Sequence, residues 1–150
     1  MTRQSVSNPL TDRLHALSEM LRLRMLRLLE SHELSVGEVA KVFQLPQSTV
    51  SRHLTMLAKA GWLFKRQMGT ATFYSLTLDD LDGEARSVWQ VVREQIGKGP
   101  EVDEDDHRLE GVLAERRTDS VSFFGRVGGE WDAIRNELFG ERLTALGLLS

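Results

Sequence analysis

The chain has 150 residues, of which 41% are hydrophobic, so it is long enough for one domain with an appendage and apolar enough to bury a core. It contains no cysteine, which excludes disulfides, thiolate metal ligands and a thiol switch. The first residues, MTRQSVSNP, lack the apolar stretch of a signal peptide, and arginines interrupt the most apolar segment, LRLRMLRLL, so we expect a cytoplasmic protein.

The net charge of −3 hides an uneven distribution along the chain. Residues up to Leu78 contain 10 Lys and Arg against 5 Asp and Glu, a net charge of +5, and the remainder contains 9 against 17, a net charge of −8. A basic half suits a polyanion such as nucleic acid, and an acidic half should point away from the same polyanion.

Leucines at helical spacing between Leu10 and Leu29 predict one or two N-terminal helices. The following SVGE predicts a capping box, with Ser35 as N-cap and Glu38 three residues later, at the start of a short helix. In QLP, Pro46 suits the first turn of another helix and disfavours helical geometry just before it, so a tight turn joins the two helices.

The next helix has an apolar stripe at i, i+4, i+7 and i+8, formed by Val50, Leu54, Leu57 and Ala58. The strand-like segments WLFKRQ and TFYSL then flank MGTA, whose glycine can adopt a positive φ, so a β-hairpin is predicted. The predicted fold is therefore mainly α with a small β-hairpin: a winged helix-turn-helix followed by a C-terminal helical extension.

The second helix of such a unit enters the major groove of DNA with its N-terminal residues against the base edges. Arginine can bind guanine through two hydrogen bonds, glutamine can do the same with adenine, and hydroxyls bind bases or phosphates. An ordinary solvent-exposed polar face is the alternative, but the capped helix, the turn and the basic hairpin favour DNA binding. The helix residues predicted to contact DNA are Gln47, Ser48, Thr49, Ser51, Arg52 and His53.

The sequence LRLRMLRLLESHELSVGEVAKVFQLPQSTVSRHLTMLAKAGWLFKRQMGTATFYSL resembles the winged-helix core of the ArsR family of bacterial transcriptional regulators, over about residues 14–78. The resemblance implies a homodimer that reads an imperfect palindromic operator in double-stranded DNA, and a repressor that an effector releases. It matches Gln47, Ser48, Ser51, Arg52 and His53 to the recognition helix, and Arg66 and Thr70 to the wing. His53 suits a DNA backbone contact and a helix-packing role equally.

The chain departs from the metal-sensing members of that family. Where they have Cys-x-Cys, Ser35 and Gly37 stand here, and the helix after the wing lacks the histidine of a second sensor type. We therefore expect no metal site, no cofactor and an effector other than a thiophilic metal. The acidic run DEDDHRLE could hold a hard divalent cation, but a solvated linker is favoured.

Apolar residues on the helix after the wing would stay exposed unless something covered them. We expect a dimer interface, since this helix and the N-terminal one pack against their symmetry mates in the family. The alternative for Trp89 is that it closes the core of its own subunit. The predicted interface residues are Leu10, Leu14, Leu81, Val88, Trp89 and Val92.

We divide the chain into a DNA-binding and dimerisation domain (10–98), an acidic linker (99–106) and a helical extension (107–150), with two helices or one bent helix around Gly128 and Gly129. The extension resembles the segment that, in a subset of ArsR-type proteins, leads to a methyltransferase-like domain binding S-adenosylmethionine. The chain would then be part of a longer regulator, or a relative that lost the domain, with an S-adenosyl compound as effector.

Two other functions are weighed against a DNA-binding repressor. One is the N-terminal regulatory module of an S-adenosylmethionine-dependent methyltransferase, and the other is a winged helix that only docks proteins. The sequence contains no supported catalytic constellation, so we expect this chain not to be an enzyme.

Overall fold

The computed structural model describes the backbone of residues 9–138 and the side chains of residues 9–119. Its helices are α1 (Pro9–Ala16), α2 (Met20–Ser31), α3 (Val36–Phe43), α4 (Gln47–Lys59), α5 (Gly83–Ile96) and α6 (Pro100–Leu138), with a 3₁₀ turn at Leu78–Asp80. Its strands are β1 (Leu34–Ser35), β2 (Phe64–Met68) and β3 (Ala71–Ser75), in the antiparallel order β1-β3-β2. The chain divides into two compact units, residues 1–112 and residues 113–150. The first unit has the predicted winged helix-turn-helix fold.

A buried arginine sets the break between α1 and α2. Arg22, 4% exposed, donates hydrogen bonds to the carbonyl oxygens of Ala16 (2.7 Å) and His15 (3.2 Å). These carbonyls lie at the end of α1, where a helix leaves its last C=O groups without partners. Arg22 also donates to the Glu19 carboxylate at 2.7 Å, so its own charge is compensated.

The predicted capping box at the start of α3 is confirmed. The Glu38 backbone N–H donates to Ser35 Oγ at 3.2 Å, and the Ser35 backbone N–H donates to Glu38 Oε1 at 2.9 Å. Helix α3 is followed by its C-cap, Gln44, which adopts the left-handed conformation with φ 54°, and Pro46 directly precedes α4. The tight turn between the two helices therefore forms where it was predicted.

The core of the first unit lies among α2, α3, α4 and the inner face of the sheet. The stripe predicted on α4 is confirmed for Val50, Leu54 and Leu57, which are all fully buried. Trp62, just after α4, is buried and donates its indole N–H to the Arg13 carbonyl oxygen at 3.0 Å. The burial of the α4 stripe determines which side of α4 remains exposed.

The predicted hairpin is confirmed as β2 and β3, with Gly69 in its turn at φ 61°. The strand β1 was not predicted. It is only two residues long, and it pairs Leu34 with Tyr74 and Ser35 with Phe73. So short a segment has no sequence period of its own, because only the pairing with β3 across the fold makes it a strand.

Helix α5 begins at a capping aspartate. Asp82 accepts a hydrogen bond from the Ala85 backbone N–H at 2.8 Å and another from Arg13 on α1 at 2.7 Å. The Arg13 hydrogen bond, reinforced by the Ala85 N–H, holds the pKa of Asp82 below its usual value. This contact ties α1 to the start of α5.

The acidic segment 99–106 differs from the expected solvated linker. Helix α6 begins at Pro100, so residues 100–106 are its first two turns. Asp105 is 1% exposed and accepts two hydrogen bonds from Arg24 on α2, at 2.7 and 2.8 Å, and Asp106 accepts two from Arg27, at 2.6 and 2.8 Å. A run of like charges favours solvation only when nothing opposite faces it, and here two arginines of α2 do.

The predicted extension is helical over its described part. Helix α6 continues as one element through Gly128 and Gly129, where two helices or one bent helix were expected. The side chains of residues 120–138, and all of residues 139–150, lie outside the described residues. Every helix within residues 9–138 is too short or too polar to cross a bilayer.

Candidate nucleic-acid interface

Helix α4 presents a polar face because its apolar stripe packs inward. Gln47, Ser48 and Arg52 are exposed, and Thr49 and Ser51 are half-buried at the edge of that face. Five of the six helix residues predicted to contact DNA therefore lie on or beside one surface. Their side chains are the amide, hydroxyl and guanidinium groups that hydrogen-bond to base edges and phosphates.

A cleft of about 500 Å³ separates the N-terminal end of α4 from the wing. Its lining brings together the predicted recognition residues Gln47, Ser48 and Ser51 and the predicted wing residue Thr70. The other residues lining this cleft, which we call the wing cleft, are Ser35, Val36, Gly37, Ala71 and Thr72. None of the residues that line the wing cleft is charged.

A second cleft, of about 470 Å³, lies between α4 and α1. Arg52 and Lys59 line it from α4, and Asp12 and His15 line it from α1. Sequence reasoning missed His15 and Lys59 as neighbours of the recognition face. The seven-residue spacing from Arg52 to Lys59 is the one sequence signal that places both on one helical face.

His53 has a packing role in this structure. Its ring is half-buried, and its Nδ1 lies 3.3 Å from Arg22 Nη1. A guanidinium only donates hydrogen bonds, so Nδ1 is the acceptor in this contact. Of the two roles that the sequence left open, the helix-packing role is the one this geometry favours.

The wing arginine is engaged within the protein. Arg66 donates to the Glu33 carboxylate at 2.5 and 3.2 Å, and its guanidinium carbon lies 5.5 Å from the centroid of the Phe73 ring opposite it in the sheet. The hydrogen bond to Glu33 raises the pKa of Arg66. To bind a DNA phosphate, Arg66 would therefore have to bind it together with the Glu33 carboxylate or release that carboxylate.

Comparison with known proteins agrees with this geometry. Residues 20–63, from α2 to the end of the turn after α4, match the family model described as "Bacterial regulatory protein, arsR family". The chain contains an ArsR-family helix-turn-helix domain. It is 38% identical over 64 residues to the transcriptional activator HlyU of Vibrio cholerae, a match that covers 43% of this chain and 59% of that protein.

Solved structures of similar proteins show the same fold. Reduced HlyU from Vibrio cholerae is 28% identical with a TM-score of 0.50, over 60% of this chain and 90% of that one. A homodimeric winged helix-turn-helix DNA-binding domain, Mb0332 from Mycobacterium bovis, is 25% identical with a TM-score of 0.51, over 65% of this chain and 94% of that one. These structural matches cover a larger share of this chain than the residues 20–63 of the family model.

The predicted dimer interface of the ArsR-family domain is only partly at the surface. Leu10 and Leu14 on α1 are 59% and 48% exposed, and Val88 and Val92 on α5 are half-buried.

Trp89 and Leu81 are corrections to the predicted interface. Trp89 is 0% exposed and Leu81 is 6% exposed within a single chain, so both close the core of their own subunit. Helical spacing alone does not distinguish a residue that packs inward from its neighbour on the same stripe. Val91, 60% exposed, is the apolar α5 residue that sequence reasoning missed, because it lies beside the predicted stripe.

The acidic run at the start of α6 lacks the geometry of a metal site. Asp105 and Asp106 are bound to arginines of α2, as described above. Within the described residues, no group of three or more Asp, Glu or His side chains is arranged to hold a metal ion.

Proposed function

We propose that this chain is a homodimeric, sequence-specific DNA-binding transcriptional regulator. The observation that supports it is the exposed amide, hydroxyl and guanidinium face of α4, which is backed by a fully buried apolar stripe and flanked by the wing. The chain also contains an ArsR-family domain, and the relatives named above are described as a transcriptional activator and a DNA-binding domain.

In this proposal the predicted residues have three roles: contacts to base edges, contacts to the DNA backbone, and positioning of α4. Gln47 and Arg52 read base edges, because their side chains form paired hydrogen bonds with adenine and guanine. Ser48, Thr49 and Ser51 bind bases or phosphates from the same face, and Thr70 binds the DNA backbone from the wing. Arg66 contributes charge near the backbone, and His53 orients α4 through Arg22 rather than touching DNA.

The homodimer is supported by exposed apolar side chains on two helices, Leu10 and Leu14 on α1 and Val91 on α5. Exposed large apolar residues on adjacent elements are typical of an interface. A two-fold protein reads a two-fold site, so the operator would be an imperfect palindrome with half-sites about 10 base pairs apart. The similar domain of Mb0332 is described as homodimeric.

We propose further that the regulator represses by occupying its promoter and that an effector releases it. Since the chain has no cysteine, the effector is not a metal held by thiolates. The similar HlyU is described as an activator, so a reporter assay in cells with and without the protein decides the direction of regulation. Higher reporter output without the protein is the expected result, and lower output would contradict repression. A methyltransferase-like domain after residue 150 stays a prediction.

The experiment that tests DNA binding is a fluorescence-anisotropy titration of the purified chain. It compares DNA from upstream of the protein's own gene with a scrambled duplex of equal length, at low and at physiological salt. We expect selective binding that weakens at least about tenfold at the higher salt, because several phosphates release counterions. Equal binding of the two duplexes, or binding that does not depend on salt, would contradict the proposal.

A further inference from the structure

Gly37, the second residue of α3, lies where the recognition helix approaches. A methyl group on Gly37 would lie 3.3 Å from Nε2 of Gln47, which is tighter than most packing contacts, so the amide would have to shift by a few tenths of an ångström. The φ of Gly37 is not positive, so the backbone does not require glycine there. Among the described residues, Gly83 and Gly111 also have ordinary φ, and a methyl group on either would meet no atom within 4 Å. The space beside Gly37 is occupied by the first side chain of α4.

The backbone at Gly37 is held firmly. The capping box of Ser35 and Glu38 spans it, with hydrogen bonds of 3.2 and 2.9 Å. Ser35 also pairs with Phe73 in the sheet, so the start of α3 is tied to the wing as well. A side chain that rests on such a surface has fewer rotamers available than one in open solvent.

The surroundings of Gln47 leave its amide available for recognition. The wing cleft contains both Gly37 and Gln47, and none of the residues that line it is charged. An amide placed there does not compete with an ion pair for its hydrogen bonds. It lies in the same cleft as Ser48 and Ser51, the other predicted contacts at this end of α4.

We propose that Gly37 is a positioning residue that determines base specificity through Gln47. Its lack of a side chain lets the Gln47 amide rest against α3, in the orientation from which it meets the base edge. The inference rests on the proposed function, in which Gln47 reads a base. A paired hydrogen bond to adenine needs an oriented amide, and an amide that is already oriented loses less rotamer freedom on binding.

The test is Gly37→Ala in the full chain. We expect affinity for the promoter duplex to fall roughly two- to tenfold, the range for losing one preordered side chain, while affinity for a scrambled duplex is unchanged. The melting temperature should not fall, because alanine favours a helix more than glycine does. Gly111→Ala is the matched control, since it adds the same methyl group to a helix in open space.

The same substitution in a Gln47→Ala background separates positioning from a general effect. If Gly37 acts through Gln47, Gly37→Ala should change promoter affinity little once the amide is gone. An equal loss in both backgrounds, or no loss in the wild-type background, would overturn the inference. Wild-type protein that fails to prefer the promoter duplex would overturn the proposed function as well, so the two failures are distinguishable.

A measurement without DNA examines the contact itself. In the free protein, NMR should show a nuclear Overhauser effect between the Gly37 Hα protons and the side-chain amide protons of Gln47. Gly37→Ala should shift the Gln47 side-chain amide resonances, and Gly111→Ala should leave them unchanged. A Gln47 amide that shows neither the Overhauser effect nor the shift would contradict the proposed contact.

Discussion

Arginines in two regions of the first unit have opposite surroundings. On α2, Arg24 and Arg27 are each bound through two hydrogen bonds to an aspartate of α6, and we call this contact the α2–α6 seam. On α4, Arg52 is exposed, and none of the ion pairs between described residues involves it. A count of basic residues along the sequence does not distinguish a paired arginine from an exposed one. The comparison shows that part of the positive charge in the N-terminal half stabilises the fold, and part remains available for a polyanion.

The first acidic residues of the C-terminal half have a structural role as well. Its first charges do not point away from the basic half, because Asp105 and Asp106 neutralise arginines of α2. Arg24 is held on a second side by the Phe43 ring, whose centroid lies 5.3 Å from the guanidinium carbon. The hydrogen bonds that Arg24 donates to the Asp105 carboxylate raise the pKa of Arg24, so its guanidinium stays charged.

The largest expected effect is at the α2–α6 seam. Asp105→Ala removes one partner of a buried ion pair and leaves Arg24 without its carboxylate, which should lower the free energy of unfolding by about 3 kcal/mol. Chemical denaturation measures the change. Asp103→Ala, an exposed aspartate of the same helical turn, is the control and should change stability by less than about 0.5 kcal/mol. Equal effects of the two substitutions would show that the seam does not stabilise the fold.

On the α4 face the effect should appear in binding and not in stability. Arg52→Ala should weaken binding to the promoter duplex by about 1–3 kcal/mol if Arg52 reads a guanine, with little change on a scrambled duplex. The free energy of unfolding should stay within about 0.5 kcal/mol of wild type, because the side chain is exposed. Equal losses on both duplexes would make Arg52 a phosphate contact.

The wing arginine, Arg66, is neither buried in an ion pair like Arg24 nor free of ion pairs with described residues like Arg52. Arg66→Ala should weaken binding to all duplexes alike and reduce the slope of log affinity against log salt by about 1, as expected when one phosphate contact is lost. The effect should be smaller than that of Arg52→Ala on the promoter, because Glu33 already neutralises Arg66 in the free protein. Anisotropy titrations at several salt concentrations measure both quantities. A loss confined to the promoter duplex would instead indicate base reading.

The smallest expected effect is pH-dependent. The pKa of Asp82 is held below its usual value of 3.8 by Arg13 and the Ala85 N–H, so its contribution to stability is present above pH 3.8. The contribution is lost as the pH falls through the lowered pKa, when the carboxylate becomes protonated. Asp82→Asn keeps a capping oxygen but removes the charge. The stability difference between wild type and this variant should shrink as the pH falls below 3.8, and a difference that grows there would contradict the assignment.

Much of the fold follows from short-range patterns in the sequence. The capping box at Ser35, the turn before Pro46 and the glycine in the wing are each formed by neighbouring residues, and each was predicted correctly. The polar face of α4 was predictable for the same reason, since the helical period alone separates it from Val50, Leu54 and Leu57. The role of His53 was left open, because it depends on Arg22, which lies 31 residues away.

Long-range contacts account for the predictions that were wrong or missing. The strand β1 exists only through its pairing with β3, and the start of α6 is a packed helix only because two arginines of α2 face it. Trp89 is buried in its own subunit although its spacing equally suits an interface. For β1 and for the start of α6, the deciding partner lies tens of residues away in the sequence.

The sequence by itself determined the winged helix-turn-helix and the chemistry of its recognition face, because helical period, caps and turns act over a few residues. Only the tertiary structure decided which charges remain available, since Arg24, Arg27 and Arg66 pair with distant carboxylates while no ion pair among the described side chains involves Arg52. It also placed the Gln47 amide against Gly37. Charge pairing and close packing depend on distances in space, which a linear pattern does not contain.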